Sequence, residues 1–449
     1  MAFEPDYSRV FFSNQITAAK DIVDTFETSH RLFNQGVVPD ESNSLPFYAL
    51  LWAQVQSGKS GTFHCIARMM YWKGLIDHVY ILCGSSETNL RNQAISDTRR
   101  YQEDIIDDFK VIFRQDFSKH MPLSENTLNL ERALIIIDES HMDQDNNQQL
   151  STLLSAYGLS LAGTLPSMRH NSTFILSVDA TPYAEIAAVT SHLALPKHIC
   201  KMVPGDGYIG PIQLYESHHL HNAPSIDYYN FSHIADTIRK YADGKYAIFR
   251  TRGNKTKILI QICKTFKFDI RFYTMNRNTI VVTDEEKTST IRQSLQDKPD
   301  NTTVVIISGR LRAGKVLPKQ HIGLLWESAP KSNTDVLIQG LWGRACGYYS
   351  SSPPHIFLPL NRLIATGEID RYYSCHGEPR FPGNPSLSRL DGASTPDCPR
   401  SPLHSGEPRF PGNPSLAIPL LAANIKKSKD NLPSIRLKSA FTRGTKVPL

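Results

Sequence analysis

The chain has 449 residues, 40% of them hydrophobic and 20% charged, with a formal net charge of +6. That is a globular composition with room for two or three domains of about 150 residues. No apolar run approaches the roughly 20 residues of a membrane span, and the start, MAFEPDYSRVFF, has neither the basic leader nor the apolar stretch of a secretory signal. A soluble chain with no membrane partner is expected.

Seven cysteines (65, 83, 200, 263, 346, 375, 398) contain no C-x-x-C pair. A zinc ribbon and a disulfide framework are therefore not indicated, and a cytoplasmic or other reducing compartment fits. The charge is unevenly placed. Between Leu421 and Leu449 seven basic residues face only Asp430, so this tail carries the whole net charge. A basic tail suits nucleic acid electrostatically, and it suits solubility as well.

The first apolar run, PFYALLWA, leads into AQVQSGKSGT, Ala53 to Thr62, and then into the helical pattern FHCIARMMYW. A glycine-containing turn between a strand and a helix aims backbone N–H groups at phosphate oxygens. Gln56, Ser57, Gly58, Lys59, Ser60, Gly61 and Thr62 are the candidate nucleotide-binding residues. Lys59 can neutralise terminal phosphates, and Ser60 can ligate Mg²⁺. Only the first position of G-x-x-x-x-G-K-[ST] departs, as Ala53, where a small residue closing a strand suffices.

Further runs are HVYILCG at 78–84, RALIIIDE at 132–139 and STFILSVDA at 172–180. Such continuous Val/Ile/Leu segments suit a parallel sheet covered on both faces. RALIIIDE delivers Asp138 and Glu139 to a strand end. There one carboxylate can hold Mg²⁺ and the next can activate a water, with His141 two residues on. A break at MVPGDGYIGP, 202–211, precedes the cluster ESHHLH. Glu216, His218, His219 and His221 could hold a metal there, but their spacing favours a solvated polar loop.

A second series follows: KYAIFRTR, KFDIRFY, NTTVVIISG, HIGLLWE and HIFLPL. The expected architecture is α/β, two parallel-sheet domains meeting at their strand ends with a ligand cleft between them. The expected boundaries are 1–205 and 206–365. From 366 to 449 the chain is rich in Pro, Gly and Ser and repeats GEPRFPGNPSL at 377–387 and 406–416, which predicts a mostly disordered extension. A duplication without function is favoured there over a peptide-docking segment for protein partners.

Taken together, the motifs resemble those of superfamily 2 helicases and translocases of the DExH type. DESH at 138–141 matches the second motif. SVDATPY at 177–183 is similar to the third, which implies that Ser177 and Thr181, with His141, couple hydrolysis to nucleic-acid contact. In FFSNQ, Gln15 stands where many relatives read the adenine edge. GSSETNLRNQ, with Leu90 and Gln93, resembles a strand-contacting segment. YAIFRTR, VVIISGRLRAGKVLP and IQGLWGRACGY resemble the fourth, fifth and sixth motifs.

The resemblance covers residues 10–360 and implies two tandem RecA-like domains. ATP and Mg²⁺ would lie between them, Ser60 and Asp138 holding the metal. Lys59, Asp138, Glu139 and Arg344 would be catalytic, with Gln339 coupling. Gln93, Arg250, Arg310 and Arg312 would contact nucleic acid, with DNA favoured and RNA open. Two departures stand out: Gln339 is one residue further from Gly343-Arg344 than in the usual spacing, and Gly347 or Tyr348 occupies the place of a second arginine. Similar GRACGY endings occur among phage, viral and mobile-element relatives. An ATP-driven helicase or translocase is thus expected, against a scaffold with a decayed ATPase or the motor subunit of a larger assembly.

Overall fold

The computed structural model describes residues 5–40, 44–83, 88–102, 109–138, 149–180, 195–274, 295–308, 317–328 and 338–366. All lie in one compact unit, Met1–Pro379. The Pro/Gly/Ser-rich extension and its repeat lie outside the described residues.

The first lobe opens with helix α1 (Ser13–Asn34), whose buried residues Gln15, Ala18, Ala19, Ile22, Val23 and Phe26 recur at helical spacing and form one face. The strands are β1 (Tyr48–Ala53), β2 (His78–Cys83), β3 (Phe109–Phe113), β4 (Ala133–Asp138), β5 (Phe174–Asp179) and β6 (His198–Met202). Helix α2 (Lys59–Trp72) follows β1, and α3 (Thr88–Gln102) follows β2. The strands form one parallel sheet in the order β3-β2-β4-β5-β1-β6. β1, β4 and β5 are buried along almost their whole length, as expected of strands covered by helices on both faces.

A short strand β7 (Tyr208–Ile209) intervenes before the second sheet. That sheet comprises β8 (Leu220–Asn222), β9 (Tyr246–Arg250), β10 (Asp269–Thr274), β11 (Thr303–Ser308), β12 (Ile322–Glu327) and, beyond a further short strand β13 (Gly347–Tyr348), β14 (His355–Leu358). It is also parallel, in the order β10-β11-β9-β12-β14-β8. Its core is stacked: Trp326 lies between Phe249 at 5.1 Å and Phe357 at 4.7 Å between ring centroids. β7 and β13 pair antiparallel, Gly347 opposite Ile209 and Tyr348 opposite Tyr208, as a ribbon belonging to neither sheet.

The two parallel α/β lobes are those expected from the apolar runs, each of which is a strand. The strands of the two main sheets that were not anticipated, β3, β6 and β8, lie at sheet edges, where FKVIF and HICKM mix apolar with polar residues and leave no continuous run. The ESHHLH segment needs correction. His221 is half-buried on β8, its Nε2 2.9 Å from His355 Nδ1, and the His219 ring stacks on that of His355 at 4.7 Å. His219 and His221 thus form a packed imidazole cluster with His355, while Glu216 and His218 are exposed. Among the described residues no group of three or more His, Cys, Asp or Glu side chains is placed to hold a metal. No helix among them is long and apolar enough to cross a membrane.

Candidate active site

The loop between β1 and α2 is built by its own hydrogen bonds. Ser57 Oγ donates to Gln54 O at 2.7 Å, and Ser57 N donates to the same carbonyl at 3.2 Å. Gln56 has φ +58° and Gly58 φ +110°, so the chain turns through left-handed backbone immediately before the helix. Lys59 then stands at the first turn of α2, where N–H groups lack intrahelical partners and favour an anion. Ala53 ends β1 in regular strand geometry opposite Met202 and is buried, so no glycine is needed there.

Gln15 is the keystone of this loop. Its Nε2 donates to Gly58 O and its Oε1 accepts from Phe12 N, each at 3.0 Å. A side chain at Gly58 would bring Cβ to 2.7 Å from Gln15 Nε2, and one at Gly61 would meet the same nitrogen still more closely. Both glycines are thus imposed by the glutamine amide lying across the helix start. Thr62 is wholly buried, its Oγ1 donating to Gly58 O at 3.2 Å.

Parallel register brings the acidic residues of the first sheet to the same edge. Asp138, the last residue of β4, pairs across to Val178 and Cys83, and Asp179 of β5 pairs across to Trp52 of β1. Ser177 is fully buried between β4 and β1. From the second lobe Arg344 reaches in from a segment buried at Leu341, Trp342, Ala345 and Cys346. Its Nη1 donates to Gly340 O at 2.7 Å, which fixes the guanidinium against its own backbone.

The lobes touch at the loop between β1 and α2. Tyr208 Oη donates to Val55 O at 2.6 Å, and Tyr348 Oη accepts from Gly205 N at 2.9 Å and lies 3.4 Å from Ser57 O. Val55 packs on the second-lobe core. The result is an open cavity of about 600 Å³ at the junction, within the usual range for a small-molecule site. It is lined by residues 55–61, by Asp138 and Ala180, and from the second lobe by Lys319, Arg344, Tyr348 and Tyr349. Three cations, Lys59, Lys319 and Arg344, face it, which suits a polyanion. The Ser60 hydroxyl and the Asp138 carboxylate also line it, an oxygen donor pair that suits Mg²⁺.

No protein-family model matches the sequence. An uncharacterised protein, L594, of Acanthamoeba polyphaga mimivirus is 27% identical over 299 residues, which is 61% of this chain and 68% of that protein. Among solved structures, a Saccharomyces cerevisiae Dbp5 variant bound to Gle1 and IP6 is 12% identical, with a TM-score of 0.47 over 82% of this chain and 93% of that one. The DUF1998 helicase MrfA bound to DNA and AMPPNP is 13% identical, at 0.47 over 83% and 53%. Mss116p bound to ssRNA and AMP-PNP is 11% identical, at 0.48 over 81% and 77%.

Of the residues singled out in the sequence, Gln15, Gln56, Ser57, Gly58, Lys59, Ser60, Gly61, Gln93, Asp138 and Arg344 line this one cavity. Gln93 was expected on a nucleic-acid surface and instead shares the cavity wall with Ala94, Asp97 and Tyr101 of α3. Arg250 also differs from expectation. Its guanidinium is ion-paired with the buried Glu327 and packs beneath Gly340, where a Cβ would lie 3.1 Å from Nη2. It is a strut beneath the Arg344 segment and not a cation offered to a phosphodiester. Gln339 lies in the helical turn Ile338–Trp342. Glu139, His141, Thr181, Arg310 and Arg312 lie outside the described residues.

Sequence reasoning missed Lys319, Tyr208, Tyr349 and the exposed ring of Phe12. Phe12 lies within FFSNQ, where attention went to Gln15, and Lys319 directly follows the VLP that closes the fifth segment.

Proposed function

We propose that the protein is a superfamily 2-type, ATP-driven helicase or translocase, with DNA favoured over RNA as its track. The observation that carries this reading is that Lys59, Ser60 and Asp138 of one lobe and Arg344 of the other line a single cavity at the lobe junction. A site divided between two lobes links nucleotide chemistry to lobe movement, because neither half is complete alone.

In this reading Lys59 and the backbone N–H groups of residues 58–61 hold the β- and γ-phosphates. Ser60 and Asp138 would hold Mg²⁺, which would supply positive charge to the phosphate oxygens. Water attacks the γ-phosphorus in line while Glu139 accepts its proton. The bond from that phosphorus to the β–γ bridging oxygen breaks, and ADP and inorganic phosphate leave. Arg344 stabilises the charge spread over the transferring group. Ser177, Thr181, His141 and Gln339 couple this step to the track, which Arg310 and Arg312 grip through its backbone. Residues 1–205 and 206–365 are proposed as the two motor domains and 366–449 as an appended basic tail. The mimiviral relative supports a viral-type variant.

The test is ATP hydrolysis by the full chain with and without single-stranded DNA or RNA, followed by strand displacement on duplexes of each. Stimulated hydrolysis with displacement supports the helicase reading. Hydrolysis without displacement supports a translocating motor subunit. Nucleic-acid binding with no hydrolysis would overturn the enzyme reading in favour of a scaffold.

A further inference from the structure

Lys319 lies between buried Leu317 and the start of β12, with its ammonium at the lobe junction. Nζ donates to Cys346 O and sits 5.1 Å from the centroid of the Tyr349 ring. The approach is so close that a side chain at Gly347, already at φ +123°, would collide with the ammonium, while its Cβ would also stand 3.6 Å from Gln56 O of the phosphate loop. Gly347 thus places Lys319 where the Arg344 segment meets that loop, on the wall of the cavity that Lys59 and Arg344 share.

The environment is unusual for a lysine. Among the described residues no carboxylate pairs with it; its partners are one carbonyl and one aromatic face. The contrast with Arg250 in the same lobe is direct, since that cation is neutralised by Glu327. A largely buried cation without a counter-anion is costly and is retained where an anion arrives. Burial accordingly pushes the Lys319 ammonium down to about 8.

We propose that Lys319 is a phosphate-binding residue, a second cation that the second lobe contributes beside Arg344 to the terminal phosphates of the nucleotide held on the loop at 57–62. The inference rests on the ATP-site reading above. It makes nucleotide binding supply an anion to this ammonium, and it gives the second lobe a means to distinguish a triphosphate from a diphosphate. Gly347 serves it by leaving room for the ammonium.

The test is calorimetric titration of the full chain with AMP-PNP and with ADP, each with Mg²⁺, from about pH 6.5 to 9, for wild type, Lys319→Met, Lys319→Arg and Lys59→Ala. Lys319→Met is expected to weaken AMP-PNP about tenfold and ADP less than about threefold, with Lys319→Arg recovering most of the loss. Wild-type affinity for AMP-PNP should fall as pH rises through about 8, since the free ammonium deprotonates there, and Lys319→Met should lose that inflection. A folded Lys319→Met protein with wild-type affinity for AMP-PNP, or with equal losses for both nucleotides, would overturn the proposal. Wild-type binding by Lys59→Ala would show that the cavity itself is misassigned, and the proposal would fall with it. Lys59→Ala failing while Lys319→Met binds normally would remove Lys319 alone.

Discussion

The two lobes contribute to one cavity in opposite ways. In the first, the anion-facing loop is local: Ser57, Gly58, Lys59 and Ser60 are consecutive, shaped by bonds to Gln54 and Gly58, with Gln15 and Asp138 coming from elsewhere in the lobe. In the second it is assembled from distant segments. Arg344 is tied to Gly340, Gly340 packs on Arg250, Arg250 pairs with Glu327, and Lys319 is held by Cys346. A local site is preformed wherever its turn forms. An assembled site depends on the packing of a whole lobe and is the half that lobe movement can switch.

The largest effect that bears on this contrast is expected at Lys59. Lys59→Ala should lower ATP hydrolysis by about two to three orders of magnitude, read as kcat/KM, by removing the loop's cation from the terminal phosphates. Hydrolysis at the wild-type rate would break the assignment of the first lobe as the phosphate-gripping half.

Gly61→Ala probes whether the loop is as locally determined as described. The new methyl group must displace the Gln15 amide and its bonds to Phe12 N and Gly58 O, for a cost of about 1–3 kcal/mol in loop order and a roughly tenfold rise in KM. Gln15→Ala in the same chain should relieve the clash and restore part of the loss. A double variant worse than either single one would contradict that geometry.

A smaller, global effect concerns His64 on α2, wholly buried and held by burial at a pKa of about 3. The folded value lies below the unfolded one, so the unfolded chain binds the extra proton between them. Stability is therefore highest above about pH 6.5 and falls as pH drops toward 3, by about 1.4 kcal/mol per pH unit from this group. Chemical denaturation from pH 7 to 5 would measure it, and His64→Gln should flatten the slope. An unchanged slope would show that His64 is not held neutral.

This division also explains what could be read in advance. The strands buried on both faces, the turn before α2 and the placement of Asp138 at a strand end were legible because each depends on a short run of residues: an apolar strand, a turn, a carboxylate at a strand end. Three of the four edge strands were not, since β3, β6 and β8 carry polar residues where one side meets no neighbouring strand; β10, also at an edge, was legible from its apolar content. In the second lobe Arg344 was visible from its motif, yet the pairing of Arg250 with Glu327 spans 77 positions and leaves no local trace. Lys319 was hidden for the same reason. Its meaning lies in Cys346 and Gly347, 27 residues and more away, and in the loop of the other lobe.

The central claim is that the two lobes share one hydrolytic site, and the most direct measurement separates binding from chemistry in Arg344→Lys. ATP affinity and the rate of a single turnover are measured on the same preparation with saturating single-stranded DNA. Affinity within about threefold of wild type together with a turnover slower by about two orders of magnitude is expected, because the fork-shaped guanidinium acts on the charge of the transferring group. Wild-type turnover in Arg344→Lys would show that the second lobe takes no part in the chemistry.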